Sequence, residues 1–254
     1  MAVEPFLLLR LEAPLMAFGG PVVDQIGRTR SFPGRAQITG LLANALGWRH
    51  GDFAALEALQ ERVRMAAAVV REGELLHDYQ TVDLGRPHLA GRGWTTRGRV
   101  ESRAGASSDT THIRNRWYVA DGTVLIALTL SPADASPTPT ELAEALRRPA
   151  RPLFIGRKTC LPTAPLLLAE LEARDAIEAL RRAAALWAGE NSTPARATTV
   201  SVEMDAGWEP PVEVGEVERE RLVDGRDWTN QVHVRERGVC RFVLPLDGEA
   251  QPCR

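Results

Sequence analysis

The chain has 254 residues, 44% of them hydrophobic, and a formal net charge of -2. That is enough for one substantial core with at most a small appended lobe; the near-neutral total excludes nucleic-acid binding by global charge alone, and no apolar run approaches the ~20 residues that span a bilayer. The three cysteines, Cys160, Cys240 and Cys253, form no C-x-x-C pair, which excludes a zinc ribbon, fits a reducing compartment and, with no secretory leader in 1–15, makes the cytoplasm the expected location.

Residues 5–12, PFLLLRLE, predict a short buried strand, broken by the prolines and glycines of 14–21. Residues 34–48 predict a helix. Ile38, Leu41, Leu42, Ala45 and Leu46 recur at helical spacing and would face the core. Pro33 precedes it, and Gly47 stands where a C-terminal stop would. A shorter helix is expected over 53–62. The valine- and alanine-rich 63–71, then Glu72-Gly73, then 74–82 predict two strands joined by a tight turn. Residues 83–115 hold many Gly, Arg, Ser and Thr and few large apolar side chains. That composition cannot build its own core, so it predicts a loop or a projecting hairpin. Strand character resumes over 116–130, with TVLIALTL as the central strand. SPADASPTPT is a loop feeding a helix at 141–148, and 153–168 carries a glycine turn and two prolines before LLL. A second amphipathic helix is expected at 174–187, then strands at 197–204 and 231–244 around an acidic stretch. The resulting β-α-β-β-α-β skeleton predicts an α+β, ferredoxin-like (RRM-like) sheet.

Charge is unevenly spread. Residues 28–49 have four arginines and no acid, 86–116 seven arginines against Glu101 and Asp109, and 147–158 five cations and no acid. Residues 201–227 reverse this, with nine acids against Arg219, Arg221 and Arg226. Lys158 is the one lysine; arginine, unlike lysine, forks onto phosphate and stacks on bases, though a high-GC genome gives the same bias. Three basic segments could carry chemistry. Arg28, Arg30 and Arg35 sit where a helix start offers unpaired N–H groups, a setting that suits a phosphate; the other reading is a solvated loop meeting surface carboxylates. Gly156 precedes Arg157 and Lys158, so a backbone could approach a ligand closely there; the alternative is an exposed turn. The 83–115 segment interleaves arginines with Trp94, His88 and His112, as single-stranded RNA binding asks, unless it is a plain surface loop. No H-E-x-x-H, G-x-S-x-G or Walker pattern occurs. The acids of 201–227 predict a solvated loop or docking surface and no metal site.

LRLEAPLMAFGGP and GRTRSFPGRAQITGLLANALGWRHGD, then HDYQTV, TTHIRNRWYVADGTVLIAL and PLFIGRKTCLPTAPLLL, follow one another in the order of a known family. Together they resemble the I-E subtype of the fifth family of CRISPR-associated proteins, of the RAMP superfamily; GRDWTNQVHV matches more weakly. The resemblance implies an RRM-like palm domain from 1–82 and 116–190, an inserted β-hairpin thumb at 83–115, and C-terminal strands with an acidic loop at 191–254 packed on the same domain. It implies a non-catalytic subunit of the Cascade surveillance complex that caps the 5′ handle of the CRISPR RNA. The implied partners are the backbone, large and small subunits and, near the thumb, the target DNA; the guide reads the target. No cofactor, metal or membrane is implied. Carried over by position, Arg28, Arg30, Arg35 and Gln37 line the palm. Arg114, Arg116 and Trp117 sit at the thumb base, and Gly156, Arg157 and Lys158 form a glycine loop. The alternative is a metal-independent endoribonuclease acting on precursor CRISPR RNA, as in the I-C subtype, for which Tyr79, Lys158 and His112 are the available trio.

Overall fold

The computed structural model describes residues 3–19, 25–84, 86–88, 92–94, 100–102, 111–190 and 199–246. The chain opens with β1 (Glu4–Glu12), the two-residue strands β2 (Leu15–Met16) and β3 (Ile26–Gly27), then helices α1 (Arg35–Ala45) and α2 (Phe53–Arg62). Next come β4 (Val63–Arg71), β5 (Glu74–Asp83), the short ladder of β6 (Arg92–Trp94) with β7 (Val100–Ser102), β8 (Thr111–Ala120) and β9 (Thr123–Leu130). Helix α3 (Pro139–Arg147), β10 (Leu167–Ala173), α4 (Ala176–Glu190), β11 (Thr199–Asp205), β12 (Glu218–Asp227) and β13 (Val232–Pro245) complete it.

Seven strands form an antiparallel sheet in the order β10-β1-β9-β4-β11-β13-β12. Its central strands carry apolar side chains on both faces because both faces are covered. In β9, Val124, Ile126 and Leu128 join the core under α1 and α3, while Leu125 and Ala127 join the core under α4. β1 alternates likewise, with Leu7, Leu9 and Leu11 on one face and Phe6 and Leu8 on the other. Helix α3 starts on a capping box, Thr138 with Glu141, and Pro139 at its first turn. Helix α1 starts at Gly34, which has no side chain to cap with.

Two expectations change. Residues 63–71 and 74–82 are not a hairpin. β4 is apolar on both faces and takes β9 and β11 as neighbours, whereas the exposed β5 leaves that sheet and pairs with β8 over Glu74↔Ala120 to Asp83↔Thr111. The crossing point is tight: a Cβ at Gly73 would lie 2.3 Å from the Ala120 carbonyl oxygen. The expected single run of 116–130 divides there, at Asp121, whose φ is 55°. β8 becomes the centre of a second sheet, antiparallel to β5 and β2 and parallel to β3.

The acidic stretch is the second change. Rather than a solvated loop, much of it is strand, and Glu203, Asp205 and Asp224 are 3%, 3% and 1% exposed. Buried carboxylates need cations, and Arg237, itself 4% exposed, supplies one to all three at 2.8–3.0 Å. Among the described residues, no helix is long and apolar enough to cross a membrane.

Candidate nucleic-acid interface

The site begins at the glycine turn. Gly156 has φ +89°, and a Cβ there would lie 1.8 Å from the Ala17 carbonyl oxygen, so neither the conformation nor the space admits a side chain. The buried Ile155 and Cys160 anchor the turn through Ile155 N–H to Cys160 O at 2.8 Å, and Ala17 N–H reaches Ile155 O at 3.2 Å. Arg157 then points inward across the second sheet. Its Nη1 donates to Trp117 O and its Nη2 to Gly27 O, both at 3.0 Å, and its Cζ lies 4.5 Å from the centre of the Tyr118 ring. It ties the turn to β3 and β8. Lys158, next along, is exposed.

Between the turn and β8 lies an open cavity of about 700 Å³ lined by Arg114, Arg116, Gly156, Arg157 and Lys158. No Asp or Glu lines it among the described residues. A second cavity of about 350 Å³ shares Phe154, Gly156 and Arg157 with it and runs on to Arg28, Gln37, Arg226 and His233.

Strand register separates the functional candidates of β8. Side chains alternate faces along a strand, and directly paired residues share one. Arg114 with Gln80 and Arg116 with Asp78 therefore occupy one face, and Asn115 with Tyr79 and Trp117 with His77 the other. On that second face the His77 and Trp117 rings stack at 4.3 Å and 17°, His77 Nε2 meets Asn115 Oδ1 at 2.9 Å, and Arg28 Cζ lies 5.9 Å from the Trp117 ring centre. One face of the ribbon carries Arg114 and Arg116 beside Asp78 and Gln80, and the other carries the stacked His77 and Trp117 rings.

The family model described as "CRISPR-associated protein (Cas_Cas5)" matches residues 6–240. The chain belongs to this Cas5 family. Over 179 residues it is 34% identical to the CRISPR system Cascade subunit CasD of Escherichia coli (strain K12), covering 70% of this chain and 76% of that protein. A chain of a solved CRISPR RNA-guided surveillance complex superposes with a TM-score of 0.65 at 23% identity, covering 94% of this chain and 89% of that one. A crystal structure of a Cas protein gives 0.54 at 20% identity over 94% and 95%. These two share the fold.

In this Cas5 chain the site candidates do not all go to one place. Arg28, Gln37, Arg114, Arg116, Gly156, Arg157 and Lys158 line the two joined cavities. Trp117 lies on the aromatic face. Arg35 turns away: its Nη2 pairs with Asp205 Oδ1 at 2.9 Å, and its backbone N–H donates to Asp224 Oδ2 at 3.1 Å. The anion at the mouth of α1 is thus supplied from β12, and Arg35 is spent on the fold and not on a ligand. Arg30 reaches Val223 O at 3.5 Å. Gln37 donates to Ala17 O at 3.2 Å, beside the glycine turn. The arginines at 97, 99 and 103, in the segment expected to be a thumb, lie outside the described residues. Among the described residues no group of three His, Cys, Asp or Glu could hold a metal ion.

Sequence reasoning missed Arg226 and His233. They belong to GRDWTNQVHV, which reads as a turn between polar strands; the signal was the cation–x–Trp spacing of Arg226 and Trp228, whose side chains meet at 5.4 Å. Burial pushes Arg226 below the ordinary guanidinium range. Burial, then Arg226 and Arg30, push His233 below its usual value against the opposing pull of Asp224.

Proposed function

We propose that this chain is the RNA-binding subunit of a type I-E Cascade complex and holds the 5′ handle of the CRISPR RNA in the basic cleft. The named relative is a Cascade subunit, and the superposing chain belongs to an RNA-guided surveillance complex. The observation that carries the reading is the acid-free cavity in which Arg114, Arg116 and Lys158 gather around the backbone of Gly156. Guanidinium forks and an ammonium point charge grip phosphates there, while the aromatic face offers rings on which unstacked bases rest. The four strands in the order β10-β1-β9-β4, linked as β-α-β-β-α-β, are in this reading the ferredoxin-like RAMP palm. The β5–β8 ribbon with the segment between its strands is the thumb, which meets the backbone, large and small subunits and the target DNA. The role is non-catalytic. Tyr79 and His112 fall on opposite faces of the ribbon by register, which is poor geometry for one acid–base site.

The test is binding of repeat-derived RNA to the full chain, in EDTA, across a salt series. Arg114→Ala, Arg116→Ala and Lys158→Ala should each weaken binding and flatten the slope of log K against log salt by about 0.7 per lost phosphate contact. Unchanged slopes in all three would sink the cleft. Site-specific RNA cutting, lost in Tyr79→Phe or His112→Ala, would replace the non-catalytic role with the endoribonuclease.

A further inference from the structure

We infer that the end of the β12–β13 hairpin forms a separate anion subsite, where Arg226, His233 and Arg30 hold one phosphodiester of the bound RNA. This rests on the reading of the cleft as an RNA site, and it gives that cleft a wall from the C-terminal part of the chain.

Arg226 and His233 are directly paired across the hairpin, so they share a face, and both line the cavity of about 350 Å³ that continues the basic cleft. Arg30 approaches the same strand at Val223, and its charge is felt at His233. One carboxylate lines the same cavity: Asp224, whose Oδ2 is held by Arg237 at 2.8 Å and whose Oδ1 has no hydrogen-bond partner among the described residues. The other nearby carboxylates are held by other groups, Glu57 and Glu61 by Arg235 at 2.8 and 3.1 Å and Asp227 by Asn230 at 2.8 and 2.9 Å. From α1, Arg35 is neutralised by Asp205, so it adds no net charge; further along the cavity Arg28, Arg157 and His50 add only positive or neutral groups. Arg226 spends its Nη2 on the neutral Gln231, at 2.6 Å to Oε1. Among the described residues neither Arg30 nor Arg226 has an ion-pair partner, and Arg30 Nη1 and Arg226 Nε lack any hydrogen-bond partner. Two guanidiniums that lack an ion-pair partner, beside an imidazole, outweigh the one carboxylate of Asp224 and match a phosphate group. Continuity with the basic cleft favours a polymer's phosphodiester over a free ion, because one RNA strand can occupy both cavities.

Protonation is then linked to binding. Free His233 is held in its neutral form by burial and by Arg226 and Arg30, against Asp224. An arriving phosphate favours the imidazolium. The bound pKa therefore exceeds the free one, a proton is taken up, and affinity rises as pH falls through the bound value.

Repeat-derived RNA is titrated into the full chain while the His233 ring is followed by NMR. The expected result is a rise of about one pKa unit or more on saturation. Wild-type affinity should increase as pH falls through the bound value, and His233→Gln should remove that increase. Arg226→Gln should flatten the salt slope by about 0.7, with thermal unfolding as the folding control. A His233 pKa unmoved by RNA that binds overturns the subsite. So does a full rise with inorganic phosphate that leaves RNA affinity unchanged, which makes the occupant a free ion. Failure of the cleft reading looks different: the wild-type chain then binds no RNA, whereas here Arg114→Ala and Arg116→Ala still weaken binding when the hairpin variants do not.

Discussion

Arg157 and Lys158 are neighbours with opposite duties. The Arg157 guanidinium serves two carbonyls on different strands, Gly27 O and Trp117 O, and rests on Tyr118. Lys158 makes no such tie and faces the cleft. Truncating Arg157 leaves two carbonyls without their donor, and hydrogen bonds from charged groups are worth about 1.5–3 kcal/mol each before solvent screening reduces them. Arg157→Ala should therefore lower the unfolding free energy by about 1–3 kcal/mol, and Arg157→Lys should not restore it, since one ammonium lacks the fork. Lys158→Ala should leave the unfolding midpoint alone and change only the salt dependence of RNA binding. Urea melts of the three variants check the contrast; equal melts for Arg157→Ala and wild type would make Arg157 a ligand group after all. The sequence shows that a glycine precedes two cations. It does not show which cation turns inward, because that depends on β3 and β8 arriving from elsewhere in the chain.

At the scale of elements, β12 and β13 explain why an acidic stretch follows so many arginines. Asp224 caps α1 from outside the helix, Asp205 receives Met65 N–H at 3.0 Å and Arg35, and Glu203 is shared by Arg237 and Arg241. Burial lowers the affinity of the Arg237 guanidinium for its proton, but Asp224, Asp205 and Glu203 together outweigh it and push the value up. Breaking such a cluster by removing one member strands the others, at a cost of about 3–5 kcal/mol. Arg237→Met should lose that much, because it takes from Asp224 its buried cation while Asp205 keeps only Arg35 and Glu203 only Arg241. Urea melts measure it, and a variant as stable as the intact chain would contradict the account. Helix α2 and the core strands were legible because their apolar spacing is local. The cluster was not: each of its acids looks solvated until the register of β11, β12 and β13 brings it to Arg237.

At the scale of the molecule, the two sheets divide the work. The seven-stranded sheet carries an apolar core on each face, and among the described residues none of 84–110 belongs to either core. The second sheet, built on β8, presents two arginines beside Asp78 on one face and stacked rings on the other, and ends in β5, an edge strand with Leu75 68%, Tyr79 58% and Val82 47% exposed. Exposed apolar groups on an unpaired edge are a surface made for a partner. The sequence places this ribbon only in part. The poor core-forming composition of 83–115 reads as a projection, but the exposed β5 reads as a partner for β4, because local pattern cannot tell which of two later strands will claim it. Stability and assembly should therefore come apart when residues 86–109 are replaced by a short turn. Among the described residues the two cores lose nothing, and the ladder from Glu74↔Ala120 to Asp83↔Thr111 keeps its pairs, so unfolding should stay cooperative with a midpoint close to that of the intact chain. Co-purification with the other Cascade subunits should fall sharply, since in the proposed reading this segment is the part that meets them. A shortened chain that aggregates or melts without cooperativity would mean that the segment braces the fold, and the separation of a packed sheet from a working ribbon would have to be abandoned.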